Sequence, residues 1–387
     1  MKPQRSTIFA TGLALFSMFF GAGNLIFPLR LGNTAGDNTG FALLGLLVTA
    51  VVFPLVGLLA MMLFQGDYRS FFLRIGRMPG LVLLFVVQVV LGPLGSIPRL
   101  IALSYATLKP YLPEVSLAIF SLLAGGVIFA LTIKRHRIVD LLGYILTPLL
   151  LLSLGSIVVI GLMDHPPAIL SEAPPLHSFF DGLKEGYNTL DLIASFLFAT
   201  LIALHFQRET KELGPKEAAR QTMKRFLKAS LIAASLLGIT YAGLGYISSF
   251  YTPTLEGIEG SEDLLSAISR TILGPLGGVI ASVAVAMACL TTAISLAAIF
   301  ADYIQKDLSK GKIKGGASLA ITLAISCLVA NLGFGGIAKM LGPILEVCYP
   351  GLIVLSLLNI AHKLTAFKPV KIPVALAFTV ALVGYFI

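Results

Sequence analysis

Two glycines and an asparagine interrupt the first apolar segment of the chain, in the run Phe20-Gly21-Ala22-Gly23-Asn24, and Pro28 follows one turn later. Glycine frees the backbone, the Asn24 amide can bridge a gap in hydrogen bonding, and Pro28 can begin a second half-helix without losing a needed donor. The run therefore predicts a helix broken within the segment. Close packing through small residues is the alternative interpretation, since glycines are frequent at contacts between membrane helices.

A broken helix presents opposite partial charges at its two inner ends. The carboxyl end of the first half has free carbonyls, and the amino end of the second half has free amides. An amino acid would place its ammonium group near the carbonyls of Phe20 and Gly21. Its carboxylate would lie near the amides of Gly23, Asn24 and Leu25. The chemistry expected at this break is therefore the binding of a zwitterion.

A second group of polar residues lies in the run Ala288-Cys289-Leu290-Thr291-Thr292. Residues at i, i+3 and i+4 share one helical face, so the Ala288 carbonyl and the Thr291 and Thr292 hydroxyls can converge on one point. Hard oxygen donors of this kind suit Na⁺. Threonines in membrane helices also bond back to their own backbone, which is the alternative.

One cation and one carboxylate lie deep within apolar segments. Arg99 is about eight residues from the end of its segment, or ~12 Å deep by helix rise, which is further than its side chain comfortably reaches to water. Such a charge normally has a partner or a function, and we predict that Arg99 is one of the substrate-binding residues. The candidate partners are Asp191 and Glu346. Glu346 itself is interpreted either as a protonated core carboxyl or as a proton-carrying coupling group.

Asp191 lies within a polar stretch of the sixth apolar segment that runs from Tyr187 to Ser195, so Ser195 follows it one turn later. If this segment mirrors the first, Asp191 and Ser195 reach the same site. The alternative is that Asp191 lies near the outer surface.

These residues belong to a chain that is too apolar to be a soluble protein. Of its 387 residues 57% are hydrophobic and 12% are charged, and the mean hydropathy is +0.92. A soluble domain of average composition has roughly twice that charge. The chain is therefore predicted to be an all-α polytopic membrane protein. Its eleven apolar segments are 6–30, 40–64, 80–107, 114–133, 139–163, 181–206, 226–250, 272–303, 316–332, 336–362 and 371–387.

The net charge of +9 comes from cations that are spread over alternate connections between the segments. By the positive-inside rule these connections are cytoplasmic, which places the amino terminus inside and the carboxyl terminus outside. The cations orient the protein in the inner membrane, so a role with nucleic acid is not predicted. The expected partners are the lipid bilayer and a small-molecule substrate, with no obligate protein partner.

Five segments per repeat is the natural division, because a second set of five then runs with the opposite orientation. We predict one transporter domain over 1–387, with repeat one at about 6–163, repeat two at about 181–364 and an extra helix at about 371–387. Helices one and six would be the broken ones. The proline-rich connection 164–180 would link the repeats.

The sequence resembles the bacterial branched-chain amino acid symporters, the system II carriers for leucine, isoleucine and valine. The resemblance runs in order over almost the whole chain. It rests on Phe19 to Pro28, on Gly92-Pro93-Leu94 with Pro98-Arg99, on Gly186 to Asp191, and on Ala288 to Ala293. That family is similar in fold to the sodium-coupled leucine transporter, with five-plus-five inverted repeats.

The resemblance implies Na⁺-driven uptake of aliphatic amino acids by alternating access. The substrate would bind at the unwound segment that Gly21, Ala22, Gly23 and Asn24 match, and Na⁺ would bind at Ala288, Thr291 and Thr292. By spacing, the carbonyls of Ser17 and Phe20 would complete the ion's shell.

Two departures from the family matter. The family usually carries a twelfth helix, and Glu346 stands where a neutral residue is expected, which leaves H⁺ open as the coupling ion.

Other classes of protein are less consistent with the sequence. The apolar segments contain no HExxH motif, no paired catalytic carboxylates and no Ser/His arrangement, so an enzyme is not predicted. A passive channel would favour a polar-lined, symmetric pore. A proton-coupled carrier of another small neutral amino acid is the alternative within transport.

Overall fold

The computed structural model describes residues 8–133, 142–163, 166–171, 173–255, 257–258, 260, 263–365 and 368–386. Over these ranges the chain is helical and contains no strand, which confirms the predicted all-α class. Long runs of Leu, Ala, Val and Ile produce this result. In a bilayer the backbone must satisfy its own hydrogen bonds, and a helix does so within one segment.

Seventeen α-helices are present in the described part of the chain. In the first half they are α1 (Ile8–Phe19), α2 (Ala22–Ala35), α3 (Thr39–Leu47), α4 (Phe53–Leu63), α5 (Tyr68–Phe72), α6 (Arg77–Leu91), α7 (Ser96–Leu108), α8 (Leu117–Thr132) and α9 (Thr147–Met163). In the second half they are α10 (Pro175–Asn188), α11 (Asp191–Glu209), α12 (Pro215–Phe250), α13 (Leu264–Leu273), α14 (Pro275–Tyr303), α15 (Gly315–Ala330), α16 (Gly333–Thr365) and α17 (Lys371–Phe386).

Each of the eleven predicted segments coincides with one or two of these helices. Within the described residues, seven helices are long and apolar enough to cross a membrane, and five shorter helices are apolar. Eleven crossings therefore stay a prediction, as do the limits of the two repeats. The connection predicted at 164–180 is shorter than expected, because α10 already begins at Pro175, a proline that a first helical turn accommodates.

Three of the segments are interrupted. α1 ends at Phe19 and α2 begins at Ala22, and α10 ends at Asn188 while α11 begins at Asp191. Helices one and six are therefore broken, as predicted. The third segment is also divided, between Leu91 and Ser96.

The turn that breaks the sixth segment, at Thr189 and Leu190, contains neither glycine nor proline. The turn is made at Leu190, whose φ of 69° lies in the left-handed region that non-glycine residues seldom occupy. Leu190 is buried, so the surrounding packing holds this conformation. The long helices α12 and α14 flank the two breaks: α12 packs along α1 and α2, and α14 packs along α7 and contacts α1.

Candidate substrate and ion site

A cavity with about 360 Å³ of empty space lies where the two breaks meet. Its lining at the breaks and its polar lining come from the first break, the second break, α7 and α14. The residues concerned are Gly21, Ala22, Gly23, Asn24, Ser96, Arg99, Thr189, Leu190, Asp191 and Thr292. Six predicted substrate residues, namely Gly21 to Asn24 with Arg99 and Asp191, are thus brought to one cavity. Phe20, a seventh, is fully buried at the end of α1.

Gly23 holds the two breaks close together. A Cβ placed on Gly23 would lie 3.0 Å from the Asn188 carbonyl oxygen and 3.1 Å from the Thr189 Cα. A larger residue would therefore separate the end of α10 from the start of α2. The glycine is required here for the close approach of two backbones.

Asn24 connects the breaks through hydrogen bonds. Its Oδ1 accepts from the Gly21 backbone N–H at 3.1 Å, so the side chain bridges its own break as the sequence predicted. Its Nδ2 donates to Asp191 Oδ1 at 2.8 Å and Oδ2 at 2.6 Å. Tyr241 of α12 adds a hydroxyl that donates to Asp191 Oδ2 at 2.9 Å. All three polar side chains are buried.

Sequence reasoning missed Tyr241. The available signal was a tyrosine in the apolar middle of α12, since a buried tyrosine hydroxyl usually finds a hydrogen-bond partner. Which partner it would find was not evident, because Asp191 is 50 residues away in the chain.

The predicted ion residues also converge. The Thr292 hydroxyl donates to the Ser17 carbonyl at 3.0 Å, and the Thr291 hydroxyl donates to the same oxygen at 3.0 Å. Thr291 also donates back to Ala288 O at 2.9 Å. Its hydroxyl therefore both joins the oxygen cluster and bonds to its own helix, as the two interpretations expected. The Ser17 carbonyl lies in the last turn of α1, where helix carbonyls lack intrahelical partners.

This donor set is made of carbonyl and hydroxyl oxygens. Such hard, uncharged donors at the end of a half-helix are those that coordinate Na⁺ in transporters with broken helices. Within the described residues no group of three or more His, Cys, Asp or Glu could hold a metal ion. The residues therefore fit Na⁺ by their chemistry.

Arg99 is 3% exposed and lies between two aromatic rings. Its guanidinium carbon is 4.9 Å from the ring centres of both Phe27 and Phe334, and its Nη1 donates to the Asn188 carbonyl at 3.2 Å. Nε and Nη2 have no hydrogen-bond partner among the described residues. Arg99 forms an ion pair with neither Asp191 nor Glu346, so both predicted partners were wrong. Two ring faces, a helix-terminal carbonyl and the negative charge of Glu185 stabilise the cation instead.

Two of the predicted site residues lie elsewhere. The Ser195 hydroxyl donates to Leu192 O at 2.7 Å and packs against Gly57 of α4. On α11 it is Ala194, one position earlier, that lines the cavity. Glu346 is exposed on α16 and does not line the cavity. It is therefore not the core carboxyl that one interpretation expected.

The rest of the cavity wall is apolar. Its residues come from α1, the third segment, α11 and α14, and are Met18, Phe19, Leu91, Leu100, Ala194, Phe198 and Leu296. The arrangement therefore offers charged and polar groups at the breaks and hydrocarbon around them, which is suited to a small zwitterion with an aliphatic side chain.

A second, larger cavity of about 1270 Å³ lies about one helical turn beyond the first, toward the end of the bundle that carries Lys306. It is lined by α11 and α14, with Tyr68 of α5 at its edge. Tyr68 and Arg69 contact Asp307, at 2.5 and 2.6 Å, and tie α5 to the end of α14.

Broken helices whose inner ends meet at a buried site are an arrangement typical of membrane transporters. The chain belongs to the family described as branched-chain amino acid transport protein, whose model matches residues 4–385. Membership of this family makes it a transporter and not an enzyme.

Two relatives from Bacillus subtilis are each 32% identical to the chain. They are the branched-chain amino acid permeases BrnQ, with 94% of this chain and 82% of that protein covered, and BraB, with 94% and 81%. A putative branched-chain amino acid carrier protein of Staphylococcus haemolyticus is 31% identical over 96% of this chain and 86% of its own length.

Solved structures with a similar fold are also transporters. Mhp1, a nucleobase-cation-symport-1 family transporter solved in a closed conformation with bromovinylhydantoin bound, aligns with a TM-score of 0.64 at 12% identity, covering 98% of this chain and 91% of its own. A manganese transporter of Eremococcus coleocola aligns with a TM-score of 0.62 at 13% identity, covering 98% and 87%. Identities this low support the fold alone.

Proposed function

We propose that the chain is a symporter that imports leucine, isoleucine and valine across the bacterial inner membrane, coupled to Na⁺ by alternating access. The observation that carries the proposal is the meeting of two broken helices at Asn24 and Asp191, beside the oxygen cluster at Ser17. The names of the Bacillus subtilis relatives support the choice of branched-chain substrates.

The substrate's charged groups would bind at the breaks. The carboxylate would accept hydrogen bonds from the first amides of α2, at Gly23 and Asn24, and would face the unpartnered Nη2 of Arg99. The ammonium group would lie near the Asp191 carboxylate and the carbonyls of Phe20 and Gly21. Arg99 and Asp191 both line the cavity, so a zwitterion would meet one charge of each sign.

The side chain of the substrate would be held by burial. Apart from the Ser96 hydroxyl, the wall around Leu100, Phe198 and Leu296 is hydrocarbon, and a hydroxyl does not distinguish isobutyl from isopropyl chains. One methylene contributes ~1 to 3 kcal/mol to discrimination in such a pocket. We therefore expect leucine, isoleucine and valine to be transported with modest differences in affinity.

Sodium would be held by the carbonyls of Ser17, Phe20 and Ala288 and the hydroxyls of Thr291 and Thr292. The cluster joins α1 to α14, and α1 is half of the broken helix that binds the substrate. An ion there would fix the end of α1 and so favour substrate binding. Occupancy of one site then depends on the other, which is what coupled transport requires.

The second candidate is a proton-coupled transporter of another small neutral amino acid. The buried Asp191 carboxylate favours it, because no cationic side chain of the described residues contacts it and protonation would remove its charge. Glu346 supports it less, since it lies away from the cavity.

Repeat one over about 6–163 and repeat two over about 181–364 would supply the two moving parts, with 371–387 outside them. The basic connections would face the cytoplasm, with the amino terminus inside. The larger cavity near Lys306 would then be the cytoplasmic vestibule.

Uptake of labelled leucine, isoleucine and valine into proteoliposomes tests the proposal. We expect accumulation under an inward Na⁺ gradient and none when choline replaces Na⁺. Accumulation driven by a proton gradient alone would show that the coupling ion is H⁺ and not Na⁺. Equal uptake without any gradient would contradict active transport.

A further inference from the structure

A third cavity, lined almost entirely by apolar side chains, lies between α7, α8 and α14, behind the substrate site. It has about 880 Å³ of empty space, the open space at its mouth included, and among its lining residues are Leu100, Phe120, Leu123, Val127, Cys289 and Leu290. Apart from the Ser104 hydroxyl and the Cys289 thiol, its lining side chains are hydrocarbon. A buried water needs two to four polar partners, so water is poorly held here.

The cavity opens on the lipid-facing side of the bundle. Leu123 and Val127 of α8, which form part of its rim, are 62% and 50% exposed. In a bilayer these side chains face hydrocarbon. An empty apolar space loses packing contacts along its whole lining. The neighbouring lipid tails can supply those contacts.

The length of the cavity corresponds to one leaflet. Its lining extends from Phe120 to Ile128 on α8, which is ~12 Å by helix rise. On the third segment it extends from Leu100 to Leu112, which is somewhat longer. Half of a ~30 Å hydrocarbon core is ~15 Å. The space therefore has the depth of a single acyl chain.

Two cations lie at the end of the cavity nearest Leu112. Lys109 is exposed directly after α7, and Arg270 of α13 is close to Tyr111: a Cβ placed on Gly278 would lie 2.9 Å from Arg270 Nε and 2.7 Å from the Tyr111 hydroxyl. Glu114 is an exposed acid in the same connection. The net charge of these three side chains favours an anionic headgroup.

We infer that this cavity holds one acyl chain of an anionic phospholipid, with the lipid phosphate near Lys109 and Arg270. Leu100 lines both this cavity and the substrate cavity, and Cys289 and Ala293 stand next to the ion-site threonines on α14. The acyl chain therefore packs against the rear wall of the transport site. This inference does not depend on which solute or ion is transported.

Photocrosslinking in nanodiscs tests the inference. The protein is reconstituted with phosphatidylglycerol that carries a diazirine in its acyl chain, irradiated, digested and analysed by mass spectrometry. We expect labelling of the α7, α8 and α14 peptides that line the cavity to exceed labelling of the exposed α17 peptide several-fold. Phosphatidylcholine with the same diazirine chain should label the cavity less strongly.

Two variants fill the cavity and one is a matched control. Ala286→Phe on α14 and Ala124→Phe on α8 should reduce cavity labelling to the level of α17, and either variant suffices if the other does not fold. Ala375→Phe, on an exposed position of α17, should leave cavity labelling unchanged. Cavity labelling that is no stronger than α17 labelling, or that persists in both filled variants, overturns the inference. Equal labelling by both lipids overturns the preference for an anionic headgroup.

Discussion

The amide nitrogen of Asn24 lies 2.8 and 2.6 Å from the two carboxylate oxygens of Asp191, so the first broken helix is hydrogen-bonded directly to the second. The two residues are 167 positions apart in the chain. Because each sits at the start of a half-helix, movement of one break is transmitted to the other. Substrate binding at either break should therefore change both.

Removing the charge of Asp191 should impair transport. Asp191→Asn keeps the shape of the side chain but loses the anion that would face the substrate's ammonium group. Hydrogen bonds to charged groups contribute ~1.5 to 3 kcal/mol, so leucine affinity should fall roughly 10- to 100-fold. Equilibrium binding of labelled leucine measures this. Asp181→Asn, on the surface of α10, is the matched control and should bind leucine normally. Unchanged affinity in Asp191→Asn would exclude the residue from the substrate site.

Thr292→Val should weaken dependence on Na⁺. Valine has nearly the same shape but lacks the hydroxyl that contacts the Ser17 carbonyl. Loss of about 1 kcal/mol corresponds to roughly a fivefold higher Na⁺ concentration for half-maximal uptake. Thr322→Val on α15, whose hydroxyl bonds only within its own helix, should leave Na⁺ dependence as it was. If both variants behave alike, the ion is held elsewhere.

Gly21→Ala should disturb the contact between the first break and α14. A Cβ there would lie 3.1 Å from Leu100 Cδ2 and 3.2 Å from Thr292 Oγ1, so neighbouring atoms must shift. Overpacking of this kind costs ~1 to 3 kcal/mol. We expect a lower thermal unfolding midpoint in detergent and weaker leucine binding. Gly126→Ala, where no atom lies within 4 Å of the added Cβ, should have neither effect. A Gly21→Ala protein that is stable and fully active would contradict this prediction and would show that the neighbouring side chains move aside without cost.

Arg99→Lys should reduce substrate affinity although the charge is kept. Lysine cannot place a planar cation between Phe27 and Phe334, and it lacks the second nitrogen that could reach a carboxylate while the first bonds Asn188 O. A desolvated cation–π contact contributes ~2 kcal/mol. The KM for leucine should therefore rise more than tenfold. Arg77→Lys, at an exposed position, serves as the control. A KM equal to that of the unaltered protein would assign Arg99 a structural role only.

Much of the first break was predictable because its signal is local. Two glycines, an asparagine and a proline within nine residues mark the interruption at Gly21, and the i, i+3, i+4 spacing of Ala288, Thr291 and Thr292 marks the ion cluster. The second break could not be located in this way. Leu190 adopts a left-handed conformation that no local residue preference favours, and burial in the surrounding structure stabilises it.

The wrong assignments share one cause. Depth in the membrane identified Arg99 and Glu346 as unusual, but depth along a helix says nothing about which way a side chain points. Arg99 faces two aromatic rings, while Glu346 faces outward. Ser195 was placed at the site because it follows Asp191 by one turn, yet the neighbouring Ala194 has the cavity face.

The sequence by itself determined that the chain is a helical membrane protein with an interrupted first helix, since composition and local backbone preferences act over a few residues. Only the tertiary structure decided that Asn24, Asp191 and Tyr241 share hydrogen bonds and that the Thr291 and Thr292 hydroxyls meet the Ser17 carbonyl. The reason is physical: these contacts depend on the rotation and crossing of helices distant in the chain. Packing of the whole bundle sets those parameters.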